Sequence, residues 1–206
     1  MNKKEFISVG LMSGTSMDGV DLSIIKSDGN EDYTSILNEY FPYDDLLHQE
    51  LTNLRDKIHN LSDLKKYEKN LKDLERKITI FSSKITNKVL KNRAHNIDVI
   101  GFHGQTIYHN AIQKISKQLG DGYLLSQLTK KEVIYNFRKK DLNNGGQGAP
   151  LTPIFHKILK KKFNLSQAIF INIGGILNST TIKKDGSLIA SDHGPGMCLL
   201  DEWIRK

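Results

Sequence analysis

Short apolar bursts mark both ends of this chain, and a repeat of three and four residues runs through its middle. Phe6 to Met12 is one apolar run; Val20 to Ile25 is another, with Val20, Leu22 and Ile24 on one face. The polar, glycine-bearing segment Ser13 to Gly19 between them predicts a strand, a phosphate-sized turn and a second strand. Thr34 to Phe41 predicts a third strand, interrupted at Pro42. Leu47, Leu51, Leu54, Ile58 and Leu61 then recur as one apolar face of a helix. Asp44 or Asp45 is placed to cap it, because a short carboxylate accepts orphan backbone N–H groups. Ser62 is the expected cap of a second helix carrying Leu64, Leu71, Leu74, Ile78, Ile85 and Val89. Its near-heptad spacing suits packing within the domain or against a coiled-coil partner.

Strand signals return at Asp98 to Phe102, which ends in His103, Gly104, Gln105 and Thr106. Glu132 to Phe137 predicts another strand, ending in Arg138 and Asp141, followed by the glycine-rich loop Gly145 to Pro150 and a helix from Pro153 to Phe163. Ala168 to Ile173 and Leu177 to Ile182 predict a second strand–turn–strand about Gly174 and Gly175. Ser191 to Gly196 and an amphipathic stretch with Leu199, Leu200 and Trp203 complete the pattern. Two related half-structures are therefore expected. Only 31 residues follow Gly175, against the order of 100 that a domain needs, so the second half is expected to be incomplete.

Composition narrows the classes. The 38% hydrophobic and 26% charged content is that of a globular rather than a disordered chain. A net charge of +7 raises nucleic acid or an anionic membrane as partners. The longest basic run is only Lys160 to Lys162, however, and no aromatic residues interleave with it. A solvated lysine surface is the expectation, with no nucleic-acid or membrane partner. Cys198 is the only cysteine, which excludes an internal disulfide and a cysteine-based zinc site. With no long apolar stretch near the N-terminus, the expected location is the cytoplasm.

Four constellations carry candidate chemistry. Gly14, Thr15, Ser16, Met17, Asp18, Gly19, Val20 and Asp21 combine small residues, hydroxyls and carboxylates. Phosphate oxygens need close N–H and O–H donors, which such a turn offers. Asp18 or Asp21 suits an anion loop only by holding magnesium. A plain hairpin with Asp18-Gly19 at its tip fits the same residues, and the Gly-Lys-Ser/Thr ending of a Walker loop is missing. His103, Gly104, Gln105 and Thr106 stand where strand ends open onto ligand crevices; His109 reads as structural. Arg138 and Asp141 form either an anion clamp or a surface salt bridge. Asp192, before His193 and the Gly194-Pro195-Gly196 turn, suits a general base or a cap on the helix containing Trp203.

Taken together, these motifs resemble the anhydro-N-acetylmuramic acid kinase family of the actin-like, hexokinase-like ATPase superfamily. The match runs through Gly10–Asp21, Gly101–Thr106, Gly120-Asp121, Phe137-Arg138 with Asp141, Gly145–Pro150, Asn172–Asn178 and Asp192–Gly196, and is weakest from Leu47 to Arg93. The resemblance implies an α/β fold: an actin-like ATPase (ribonuclease H-like) domain with a mixed sheet and flanking helices at 1–150. The incomplete start of a second similar domain is expected at 151–206. It implies ATP and Mg2+ as cofactors, and a reaction that opens the 1,6-anhydro sugar with water while the γ-phosphate moves to O6. Gly14–Asp21 would hold ATP, with Gly174, Gly175 and Asn178 as a second phosphate loop. His103, Gln105, Thr106, Arg138 and Asp141 would bind sugar, and Asp192 would be the base. Where the family usually has Thr and Asn beside that base, this chain has His193 and Met197. The family also continues into an adenosine-binding region that has no counterpart here. Little kinase activity is therefore expected of this polypeptide alone, and exposed apolar faces such as Ile169, Ile171 and Ile173 would invite aggregation or a homodimer.

Overall fold

A computed structural model describes residues 4–91 and 96–204; Arg93 lies outside them. Three antiparallel strands open the chain: β1 (Phe6–Met12), β2 (Gly19–Ser27) and β3 (Tyr33–Pro42). Val9 pairs with Ile24 and Leu11 with Leu22, and all four are buried. Alternation of side chains across the strand thus sends these residues to one core face.

Helix α1 (Asp45–Arg55) follows, its start capped by Asp44, whose side chain accepts from the Leu47 amide. It ends earlier than the periodicity predicts. Ile58 is still buried, but Leu61 is exposed and opens a separate helix, α2 (Leu61–Lys66). The cap of α2 is Asn60, not Ser62. The Asn60 side chain accepts from the Ser62 and Asp63 amides, while Asp63 accepts from the Asn60 amide in return. This reciprocal arrangement satisfies two sets of orphan donors, which a serine inside the first turn cannot do. Helix α3 (Glu68–Lys91) buries Leu71, Leu74, Ile78, Ile85 and Val89 in the same core as the sheet. Its apolar stripe is therefore spent on its own fold.

Strand β4 (Val99–Phe102) then pairs parallel to β1, with Ile100 beside Val9 and Phe102 beside Leu11. The polar residues after it do not form a loop. Gln105 and Thr106 begin β5 (Gln105–Asn110), which pairs antiparallel with β6 (Ile115–Leu119) as a separate hairpin. Helix α4 (Gly122–Thr129), capped by Asp121, leads to β7 (Glu132–Tyr135) parallel to β4. That strand is shorter than predicted because Asn136 turns left-handed, at φ 59°, and Phe137 starts α5 (Phe137–Asn143). The sheet order is β3-β2-β1-β4-β7. An antiparallel triplet extended by two parallel strands, with helices packed on it, makes a mixed α/β sheet.

After α6 (Pro153–Lys162) comes a second triplet: β8 (Ala168–Ile173), β9 (Ile176–Ile182) and β10 (Leu188–Pro195), all antiparallel in the order β10-β9-β8. Asp192 lies within β10 at a bulge, not in a loop capping a helix. A short helix, α7 (Cys198–Ile204), follows with no buried residue. The chain thus repeats strand, strand, strand, helix: once with a full core, once without.

Candidate active site

The first glycine turn is built from the core outward. Met17 takes a left-handed φ of 57° and buries its side chain, and Val20 is buried too. Both therefore offer a ligand only their backbone. His48 Nδ1 donates to the Met17 carbonyl at 2.8 Å, the Tyr43 amide donates to the Asp18 carbonyl at 2.8 Å, and Gln105 Nε2 donates to the Gly14 carbonyl at 2.8 Å. Ser13 and Tyr43 hydroxyls meet at 2.9 Å, and desolvation pushes the Tyr43 phenol up to about 12. The turn is thus fixed by three distant segments, more than a plain hairpin requires. Facing outward, Ser16 Oγ donates to Asp18 Oδ1 at 2.7 Å. Burial, and then the Asp18 charge, raise the Asp21 carboxyl above the ordinary carboxylate range. A carboxylate whose charge is disfavoured beside a second carboxylate is suited to a divalent cation.

Beside this turn stands a pair that sequence spacing does not reveal. Arg138 does not bridge to Asp141. Its Nε and Nη2 donate to His103 Nε2 at 3.2 and 3.0 Å, and its Nη1 donates to the Gly148 carbonyl at 2.6 Å. A guanidinium only donates and a carbonyl only accepts, so His103 must donate through Nδ1 to the Gly104 carbonyl, 2.6 Å away. Desolvation, then the Arg138 charge, lower the imidazole to about 4 and keep it neutral. Asp141 instead accepts from the Gly148 amide at 2.7 Å and shapes the Gly145–Pro150 loop. Thr106 Oγ1 accepts from Gln118 Nε2 across the hairpin at 3.2 Å. Gln105 is fully buried, and its Oε1 has no hydrogen-bond donor among the described residues.

The second triplet brings Asn172, Asn178 and Asp192 into one cross-strand row, since Asn172 pairs with Asn178 and Asn178 with Asp192. Strand alternation places the three on one face. A sequence signal for Asn172 exists, because positions 172 and 178 are symmetric about Gly175. His109, structural on its sequence context, meets Ser116 Oγ through Nδ1 at 3.0 Å, and its ring is within electrostatic reach of both Arg138 and Asp192. Desolvation, then Arg138, lower its basicity, while Gln147 and Asp192 oppose the shift. His193 bonds Ser179 Oγ through Nε2 at 2.7 Å.

The two glycine turns meet. A Cβ on Gly175 would lie 2.5 Å from Thr15 Oγ1, and one on Gly196 would lie 2.2 Å from the Gly174 carbonyl. Gly196 and Met197 amides donate to the Gly175 and Gly174 carbonyls at 2.9 and 2.8 Å. Hydroxyls, backbone donors and paired carboxylates on one turn therefore face a second glycine turn, with Asp192 and Asn178 at its flank. Such a junction of donors and a carboxylate has the chemistry to bind a polyphosphate and deprotonate a bound hydroxyl or water.

Comparison with known proteins identifies the family. A family model described as anhydro-N-acetylmuramic acid kinase matches residues 6–206. A protein of that name from Pelagibacter ubique (strain HTCC1062) is 54% identical over 207 residues, covering 99% of this chain and 55% of its own length. Relatives of the same name from Agrobacterium fabrum and Brucella canis are 39% and 37% identical, each across 96% of this chain and 55% of their own length. The chain thus spans about half the length of these curated relatives. A solved Aquifex aeolicus protein of the Ppx/GppA family aligns with 97% of the chain and 54% of its own, at 13% identity and a TM-score of 0.35, a likeness too loose to bear on the fold. On the family model and the relatives, the chain belongs to the anhydro-N-acetylmuramic acid kinase family.

Proposed function

We propose that this chain supplies the phosphate- and sugar-facing part of an ATP-dependent anhydro-N-acetylmuramic acid kinase. The meeting of the Thr15 and Gly175 turns beside the Asn172–Asn178–Asp192 row carries this reading. In it, residues 1–150 form the first domain and 151–206 belong to the second. Gly14 to Asp21 hold the ATP phosphates through backbone amides and the Thr15 and Ser16 hydroxyls, opposite Gly174, Gly175 and Asn178. Asp18 and Asp21 would hold Mg2+, which supplies positive charge against the phosphates when bound. On the sugar side, His103, Gln105, Thr106, Arg138 and Asp141 shape the pocket. Neutral His103 orients the Arg138 guanidinium toward an anion such as the lactyl carboxylate.

Asp192 takes a proton from the water that attacks the anomeric carbon. The bond from that carbon to O6 breaks, and O6 receives the γ-phosphoryl group, giving N-acetylmuramate 6-phosphate and ADP. That product chemistry fits cell-wall recycling in the cytoplasm. Among the described residues, no helix is long and apolar enough to cross a membrane.

The test is direct binding. Calorimetry with 1,6-anhydro-N-acetylmuramate should show saturable binding to the chain, weakened about tenfold or more by Arg138→Gln, the loss expected of a charge-assisted bond. Asp192→Asn should leave that affinity nearly unchanged, while lowering any ATP-dependent formation of the 6-phosphate by about 100-fold or more. No binding by the unaltered chain, or full turnover by Asp192→Asn, overturns the assignment.

A further inference from the structure

Gln105 lies among the sugar-side motifs in sequence, yet its side chain is 0% exposed. With no surface of its own, it touches no ligand. Its Nε2 donates to the Gly14 carbonyl, 2.8 Å away and 91 positions earlier in the chain. Its Oε1 has no donor among the described residues. A carbonyl only accepts, so turning the amide over would set two acceptors face to face. The contact therefore fixes Gln105 as a donor to Gly14. An unsatisfied buried oxygen is tolerated to keep it there, a cost that a residue serving only to fill space would not carry.

What the contact holds is one peptide group. Gly14 and Thr15 are joined by a trans peptide, in which C=O and N–H point in opposite directions. The Gly14 carbonyl, turned inward to Gln105, thus turns the Thr15 N–H outward. Thr15 is exposed, and its amide has no hydrogen-bond acceptor among the described residues. The closing bond of the turn itself, from the Met17 amide to the same carbonyl, is long at 3.3 Å and alone is a weak restraint. Gly14 adds none: it is not left-handed, and a Cβ there would meet only Ser16 Oγ at 3.6 Å. A glycine permits wide rotation, so this peptide can turn over unless something pins it. Flipped, it would present a carbonyl to an anion in place of an N–H.

The strand that bears the pin is itself held in place. The His103 amide donates to the Leu11 carbonyl at 3.0 Å, which carries β4 along β1 to the edge of the turn. Gln105 then opens β5 opposite the fully buried Leu119. We infer that Gln105 is a positioning residue: through the Gly14 carbonyl it keeps the Thr15 N–H facing outward, so that the first glycine turn offers a donor to the anion it binds. The inference rests on the proposed reading of that turn as a phosphate loop.

Gln105→Met keeps the volume of the side chain while removing both the donor and the orphan oxygen, so the fold should be kept. Circular dichroism and melting check this, and Gln105→Leu gives a second reading of the same contact. In the ligand-free chain, NMR relaxation dispersion should show exchange broadening at the Thr15 and Ser16 amides of Gln105→Met that the unaltered chain lacks, with the β1 and β5 amides unchanged. By calorimetry in the presence of magnesium, inorganic tripolyphosphate should lose affinity about tenfold or more. That loss should exceed the loss for 1,6-anhydro-N-acetylmuramate by about tenfold. A turn that stays as ordered in both variants as in the unaltered chain, equal losses for the two ligands, or a greater loss for the sugar each overturns the inference. Broadening confined to the turn, together with an unaltered chain that does not bind tripolyphosphate, leaves Gln105 holding the peptide and removes the phosphate reading of the turn instead.

Discussion

His103 is left one tautomer by its neighbours: it donates through Nδ1 to the Gly104 carbonyl and accepts the Arg138 guanidinium at Nε2. Protonating Nε2 would break that contact and bury a second positive charge, which is why the group sits near 4 instead of its ordinary value of 6.5. The unfolded chain binds a proton at this histidine below about 6.5, while the folded chain resists until about 4. The contribution is therefore complete above about pH 6.5 and is lost as the pH falls toward 4, amounting to on the order of 3 kcal/mol. Urea unfolding of the native chain should weaken over that window more steeply than that of His103→Gln. Parallel slopes would show that this site is not what couples folding to pH. Proximity in space, not in sequence, creates this pair, since 35 positions separate Arg138 from His103.

At the level of elements, the β5–β6 hairpin is what carries Gln105 to the first glycine turn, and its entry depends on one glycine. Gly104 has φ +69°, and a Cβ there would sit 2.4 Å from the Leu119 carbonyl oxygen. Leu119 is a fully buried backbone neighbour that cannot rotate away. Gly104→Ala should therefore cost about 3 kcal/mol or more, combining a left-handed conformation with a backbone clash. Denaturant titration checks this, and a loss below about 1 kcal/mol would mean that the hairpin re-seats easily. Elements with strong periodicity are legible in the amino-acid pattern: β1, β2, β3, α6, β8 and β9 all fall where the apolar residues put them, and α1 starts there but stops a turn or more short. The hairpin is not. Ile107 and Leu119 are its inward apolar anchors, and the intervening Tyr108, His109 and Asn110 mimic a polar loop.

For the whole molecule, the decisive contact is Thr15 against Gly175, which joins two sheets 160 positions apart in sequence. Gly175→Ala would bring a methyl group to 2.5 Å from Thr15 Oγ1, so one turn must withdraw. Amide exchange should speed up at both Gly14–Met17 and Gly174–Ile176 while the core of β1 and β2 stays protected. Acceleration at one turn only would mean that the two are not held together. The second sheet contributes little apolar burial of its own beyond Ile182, so its register depends on this contact and on α6 more than on a private core.

The order of motifs along the chain is sufficient, by itself, to mark the glycine turns, the doubled strand–turn–strand unit and the family they resemble. Periodicity and turn chemistry are local, and each is written in a handful of adjacent residues. Folding alone decides which histidine partners Arg138, that Asp141 shapes a loop, that His109 meets Ser116 across its hairpin, and that Asn172 joins the row with Asn178. Those relations depend on strand register and on the approach of distant segments, where side chains separated by many residues exchange water for one another. The glycine turn at Gly14 shows both halves of that division: its residue types announce a loop for anions, but only Gln105, Tyr43 and His48 hold it in shape.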